Sequence, residues 1–222
     1  MQKQLIILEK EVAKFRQDST IDAVLLTGSV AYGMATMMSD IDIVIICDRD
    51  NFESEYVEGI LVEKHFHKYD TLDDALSKNA VEVYKYLYSK VLFDNTDKLS
   101  ALIRKAREIY STYSATKREY QNICCWLSAT KIKLLSSMDS KEEKRMSFLL
   151  STNTWKVLEG VWIKNNKPMP PSSLAYAKHN ELAKEPWNGW FDDLIVGNTE
   201  SRVNVMLKII DWICDDYSFD LS

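Results

Sequence analysis

Gly28-Ser29 closes one apolar run and Asp40 and Asp42 open the next, in the stretch LLTGSVAYGMATMMSDIDIVIICD at residues 25–48. Alternate side chains of an extended chain share a face, so Asp40 and Asp42 project together while Ile41 and Ile43 point the other way. Two carboxylates held that close repel each other, and one of them resists ionising unless a cation lies between them. A divalent ion removes the conflict, and magnesium characteristically combines one or two carboxylates with phosphate oxygens of a substrate. A glycine at a strand-to-helix turn lets the backbone approach a ligand, and the amides that follow it donate to phosphate. Ser39, just before the pair, could cap the turn or touch phosphate. Gly28, Ser29, Ser39, Asp40 and Asp42 are therefore candidate nucleotide-binding residues, and together they suggest a nucleoside triphosphate site. A two-metal site needs a further ligand beside the attacking hydroxyl. In GILVEKHFHKY, Glu63 shares a strand face with His65 and His67, opposite Val62, Lys64 and Phe66. Glu58 and Asp70, both near turns, compete with it. Asp40, Asp42 and Glu63 are the candidate catalytic and metal-ligating set.

These groups need a sheet to hold them. Residues 2–17 predict an amphipathic helix with Leu5, Leu8, Val12 and Phe15 on one stripe. Residues 23–27 predict a short strand that stops at Gly28, residues 29–34 a short helix, and residues 41–47 a buried, β-branched strand. Residues 55–57 and 60–69 predict two strands turning at Glu58-Gly59. The period changes after Thr71: residues 71–90 look helical, 91–94 form a last edge strand, and from about Asp97 the pattern is helical. Breaks fall at 136–140, 165–173, Glu185-Pro186 and Gly197-Asn198. The fold class is α+β, with a small mixed sheet flanked by helices over residues 1–95 and a helical bundle over 96–222. Trp126, Leu127, Leu134, Leu149, Trp155, Leu158, Trp162, Ile209 and Trp212 are expected in the core of the bundle.

Gly28-Ser29, ten residues, then Asp40-Ile41-Asp42 within apolar flanks and an acidic residue on a later strand together resemble the nucleotidyltransferase superfamily of the DNA polymerase β type. The helical second half is similar in layout to the small-molecule branch, kanamycin nucleotidyltransferase and other antibiotic adenylyltransferases. The resemblance implies that Asp40, Asp42 and Glu63 hold magnesium, two ions in all. It implies transfer of a nucleoside monophosphate, AMP from ATP, to a hydroxyl with release of pyrophosphate. Glu63 departs from the commoner Asp at the third position. The same layout implies a substrate-binding role for residues 96–222 and a general base there, for which Glu119 and Glu159 are both candidates. Lys131 and Lys156 are candidate phosphate contacts, and Tyr32, Gly33, Trp187 and Trp190 candidate pocket residues.

The chain has 222 residues, 46% hydrophobic and 27% charged, with a formal net charge of -5. No overall cationic field draws it to a phosphate backbone, which argues against nucleic acid and suits a small, neutral or cationic hydroxyl-bearing acceptor such as an aminoglycoside. Cys47, Cys124, Cys125 and Cys214 lie in apolar runs without metal or redox spacing and are expected as reduced core residues. No run approaches the ~20 apolar residues of a membrane span, and the expected location is cytoplasmic, with no membrane contact. Two rival readings remain. One is a nucleotidyltransferase acting on RNA or on another protein, as in some toxin-antitoxin pairs. The other is a catalytically silent nucleotide-binding partner protein.

Overall fold

The computed structural model describes residues 2–215. Contacts divide them into two compact units, one formed by residues 2–112 with 170–174 and the other by residues 113–169 with 175–215. The first holds a five-stranded sheet. Helix α1 (Gln2–Gln17) leads into β1 (Ala23–Thr27), α2 (Gly28–Tyr32) and β2 (Ile41–Ile46), then the hairpin of β3 (Asn51–Val57) and β4 (Ile60–His67). Helices α3 (Tyr69–Lys78) and α4 (Tyr84–Leu87), β5 (Lys90–Asp94) and α5 (Lys98–Thr112) follow. The strand order is β3-β4-β2-β1-β5. The β2–β4 pair is parallel and the other three are antiparallel, so the sheet is mixed as expected.

The sheet separates two cores. Ile41, Ile43 and Ile45 of β2 and Val62 and Phe66 of β4 pack with Ile7, Leu8 and Phe15 of α1. Val44 and Ile46, on the other face, pack with Leu72, Leu76, Tyr84, Leu99 and Leu102. This burial on both faces explains why β2 is almost continuously aliphatic. Asp42 belongs to the second face, where the strand begins. The stripe of α1 differs in one place from the expected one: Leu5 is exposed, while Gln4, Ile7 and Glu11 are buried. Apolar spacing selected a neighbouring arc because it could not foresee that two polar residues would be paid for by partners.

Glu11 is one of these. It ion-pairs with Lys64 at 2.6 Å, and Lys64 also meets Glu55 at 2.6 Å. Both Glu11 and Lys64 are buried. Burial by itself would raise the Glu11 carboxyl, but hydrogen bonds and charge from Lys14 and Lys64 outweigh it and hold the group below its ordinary value. Glu11→Gln is expected to destabilise the protein by ~2–3 kcal/mol, less than most broken buried pairs cost because Glu55 still faces Lys64. A urea unfolding series checks this. A group with a lowered folded pKa contributes above its unfolded pKa and stops contributing in acid, so the difference between variant and wild type must shrink as pH falls through the carboxylate range.

The second unit is helical: α6 (Lys117–Asp139), α7 (Glu143–Lys164), α8 (Ser172–Lys178, whose first residues belong to the sheet unit), α9 (Trp190–Ile195) and α10 (Thr199–Cys214). Its core contains Leu127, Leu134, Leu149, Leu158, Trp162 and Ile209, as expected, with Trp212 packed at its margin. Trp126 and Trp155 are corrections, since both are exposed; the Trp126 ring nitrogen instead donates to buried Asn153 at 3.0 Å. Cys125 is also exposed, unlike buried Cys47 and Cys124. Helix α5, expected beyond a boundary near residue 95, packs with the sheet unit. The reason is chemical: Leu99, Leu102 and Ala106 complete the second sheet core. Among the described residues no helix is long and apolar enough to cross a membrane.

Candidate active site

Strand pairing builds the site. Asp42 of β2 stands in register with Glu63 of parallel β4 and with Thr27 of antiparallel β1. Side chains alternate along a strand, so Glu63 and His65 project to the same face as Asp42. Ligand atoms of Asp42, Glu63 and His65 all lie within 4.8 Å of one another. The His65 Nε2 to Glu63 Oε2 separation is 3.9 Å. Donors of one small divalent ion, each ~2.1 Å from it, spread over at most ~4.2 Å, so the cluster is close to ion-sized.

The electrostatics carry the same message. The Asp42 carboxyl is pushed up to about 6, first by burial, then by the charges of Asp40 and Glu63 and a hydrogen bond with Glu63. Without a cation the group keeps a proton into the mildly acidic range. Burial lowers His65 against the opposing pull of Glu63, which favours the neutral imidazole that a metal needs. Asp40 is half-buried beside the start of β2. It acts on Asp42 through charge but is not one of the three groups that share ligand distance.

Gly28 has φ +67, in the left-handed region. A Cβ on it would overlap Asp42 Oδ2 and stand 2.8 Å from Asp42 Cγ. Only glycine lets the turn lie directly against the carboxylate. The next residue, Ser29, has a buried hydroxyl without a hydrogen-bond partner. A buried, unsatisfied hydroxyl is costly and calls for a partner that arrives from outside. Tyr32 lies one turn on: the Gly28 amide donates to its hydroxyl, and burial raises its pKa. Its ring meets Tyr88 edge-on. A cleft of about 270 Å³ opens here, lined by Thr27, Gly28, Tyr32, Asp42, Tyr84 and Lys85 among others.

The remaining candidates fall elsewhere. The Ser39 hydroxyl accepts from the Thr36 amide at 2.9 Å, closing a local turn. Gly33 ends α2 with φ 76, its amide bonded to the Ser29 carbonyl. Glu58 is exposed and pairs with Lys10 at 3.2 Å, and Asp70 is exposed in the first turn of α3. Glu119 closes a reciprocal capping box with Thr116 at the start of α6. Glu159 is bound to Lys156 at 2.6 Å, and Lys131 to Asp211. Trp190 is buried in the helical core and Trp187 donates to Asp193 at 2.8 Å. A larger depression of about 470 Å³ lies in the helical unit, lined by Met138, Met146, Lys141, Glu143 and Glu200 among others. It contains none of the in-register carboxylates. Two residues add to the site. His65 joins Asp42 and Glu63, and the shared strand parity with Glu63 is its signal in the sequence. Lys85 carried no signal, because only folding brings its short helix to the cleft.

Residues 7–111 match the family described as nucleotidyltransferase domain. The crystal structure of a nucleotidyltransferase-like protein from Exiguobacterium sibiricum 255-15 is similar over 92% of this chain and 72% of its own, at 13% identity and a TM-score of 0.37. That likeness is too remote to bear on the fold or the site. None of the curated proteins matches the chain.

Proposed function

We propose that the protein is a divalent-metal-dependent nucleotidyltransferase that passes a nucleoside monophosphate, AMP from ATP, to a hydroxyl of a small molecule. One observation carries the reading: Asp42 and Glu63 stand in register on parallel strands, beside a glycine turn whose serine hydroxyl is buried and unpartnered. The nucleotidyltransferase match over residues 7–111 covers all of these groups. The donor set fits a divalent ion, since burial, and after it the charges of Asp40 and Glu63, raise the Asp42 pKa, and a cation would offset both by stabilising the ionised carboxylate. Asp40, Asp42 and Glu63 would hold two such ions, with Asp42 common to both, and Mg2+ suits the oxygen donors of Asp40 and Asp42. When bound, the metal supplies charge neutralisation at the phosphates and a lowered pKa for the attacking hydroxyl.

This chain's own residues do the rest. Gly28 lets the phosphates approach the β1–α2 turn, and the Ser29 hydroxyl donates to one of them. Lys85, which lines the cleft and pairs with Glu82 at 2.8 Å, offers a positive charge to the polyphosphate. The acceptor oxygen attacks the α-phosphorus and forms a new P–O bond. The bond from that phosphorus to the β-bridging oxygen breaks, pyrophosphate leaves with the electron pair, and the hydroxyl proton passes to a carboxylate of the cluster or to water. The helical unit would select the acceptor, and the acidic net charge suits a cationic one, an aminoglycoside-like antibiotic being the example.

Incubation with ATP labelled at the α- or the γ-phosphate, over a panel of aminoglycosides, other small alcohols, RNA and lysate protein, tests the proposal. Label is expected to move from the α position to a small molecule with equimolar pyrophosphate. Transfer of the γ label, or labelling of RNA or protein alone, would overturn it.

A further inference from the structure

We infer that His65 is a nitrogen ligand of the ion held between Asp42 and Glu63, and that this position prefers a first-row transition ion such as Mn2+ to Mg2+. The inference rests on the metal site proposed above and names the chemistry of one of its two positions. The set sharing ligand distance is Asp42, Glu63 and His65, two oxygen donors and one imidazole. The imidazole is held in place. Its ring packs against Phe52 of the neighbouring strand at 4.9 Å between centroids and stacks in near-parallel on His67 at 6.4 Å. Phe52 and His65 are cross-strand partners in the β3–β4 ladder, so the packing follows directly from the register. The nitrogen turned toward Glu63 is Nε2.

Nitrogen ligation changes which ion belongs there. Mg2+ demands near-octahedral oxygen coordination and gives up water reluctantly, whereas imidazole suits the later first-row ions, and Mn2+, the lowest of that series, still accepts it more readily than Mg2+ does. One imidazole beside two carboxylates therefore raises affinity for Mn2+, and for the ions above it in the stability series, with little gain for Mg2+. The Asp40 side of Asp42, with oxygen donors alone, keeps the ordinary preference.

The full chain without nucleotide, titrated with manganese chloride and followed by electron paramagnetic resonance, provides the test. Pulsed measurements on wild type are expected to show nitrogen modulation of the bound Mn2+ signal, and Mg2+ should compete poorly. His65→Gln should remove the modulation and weaken Mn2+ binding by ~10–100-fold, leaving Mg2+ affinity little changed, while His67→Gln keeps both. Absence of nitrogen modulation in wild type, or its survival in His65→Gln, overturns the assignment of His65. Asp42→Asn separates this from the underlying site: loss of Mn2+ binding there supports the carboxylate centre whatever His65 does, and unchanged binding overturns both.

Discussion

Asp42→Asn is expected to reduce nucleotidyl transfer by ~10³-fold or more, because it removes the carboxylate shared by both proposed ion positions and with it several kcal/mol of transition-state stabilisation. The same change should stabilise the metal-free protein at neutral pH. Asp42 has a folded pKa of about 6, raised above its ordinary 3.8. Between those values the folded chain binds more protons than the unfolded one, so stability falls as pH rises through this window. Below it, the neutral acid and the amide are nearly equivalent. Above it, wild type retains an ionised carboxylate crowded by burial, Asp40 and Glu63, at a cost of ~1–2 kcal/mol once solvent screening of a half-buried group is allowed for. The Tm difference, variant minus wild type, should therefore grow from near zero at pH 4 to a positive value at pH 7.5. Added divalent ion should reverse its sign, because only wild type gains binding energy from the ion. A variant that lost activity and Tm together, with no response to metal, would mark Asp42 as a folding residue and nothing more.

How far the sequence reached depended on whether a group's surroundings are local. Gly28, Ser29, Asp40 and Asp42 lie within one short stretch, where strand alternation and turn chemistry decide geometry, and Gly28 and Asp42 line the cleft. Glu63 was legible because parity on β4 separates it from Val62 and Lys64, although its exact partner, Asp42, is a register that only the parallel pairing of β2 and β4 sets. Lys85 and the contact of Gly28 with Asp42 are long-range and left no mark in spacing. The tryptophans fail for a related reason. Helical periodicity records that an apolar face exists, yet Trp126 and Trp155 stay exposed while Trp190, expected to line a pocket, is buried. Glu119 illustrates competition within one residue: the Thr116-x-x-Glu119 spacing makes a capping box as naturally as a catalytic base, and the capping box is what forms.

Gly28→Ala should damage both fold and function, and the two losses have separable causes. At φ +67 an alanine incurs ~1–2 kcal/mol of backbone strain. Its methyl group would also overlap Asp42 Oδ2, and relief by moving the carboxylate breaks the in-register pair with Glu63. Overpacking of this kind adds ~1–3 kcal/mol, so thermal unfolding should show a loss of ~2–5 kcal/mol in all. Transfer activity and Mn2+ binding should fall together, since the displaced Asp42 no longer shares ligand distance with Glu63 and His65. The double variant Gly28→Ala, Asp42→Gly discriminates the terms: removing the side chain removes the overlap, so most of the packing loss should return while the strain remains. Activity should stay absent. If the double variant were no more stable than Gly28→Ala alone, the contact between turn and carboxylate would not be what makes position 28 a glycine, and the turn would have to be explained by its backbone angle alone.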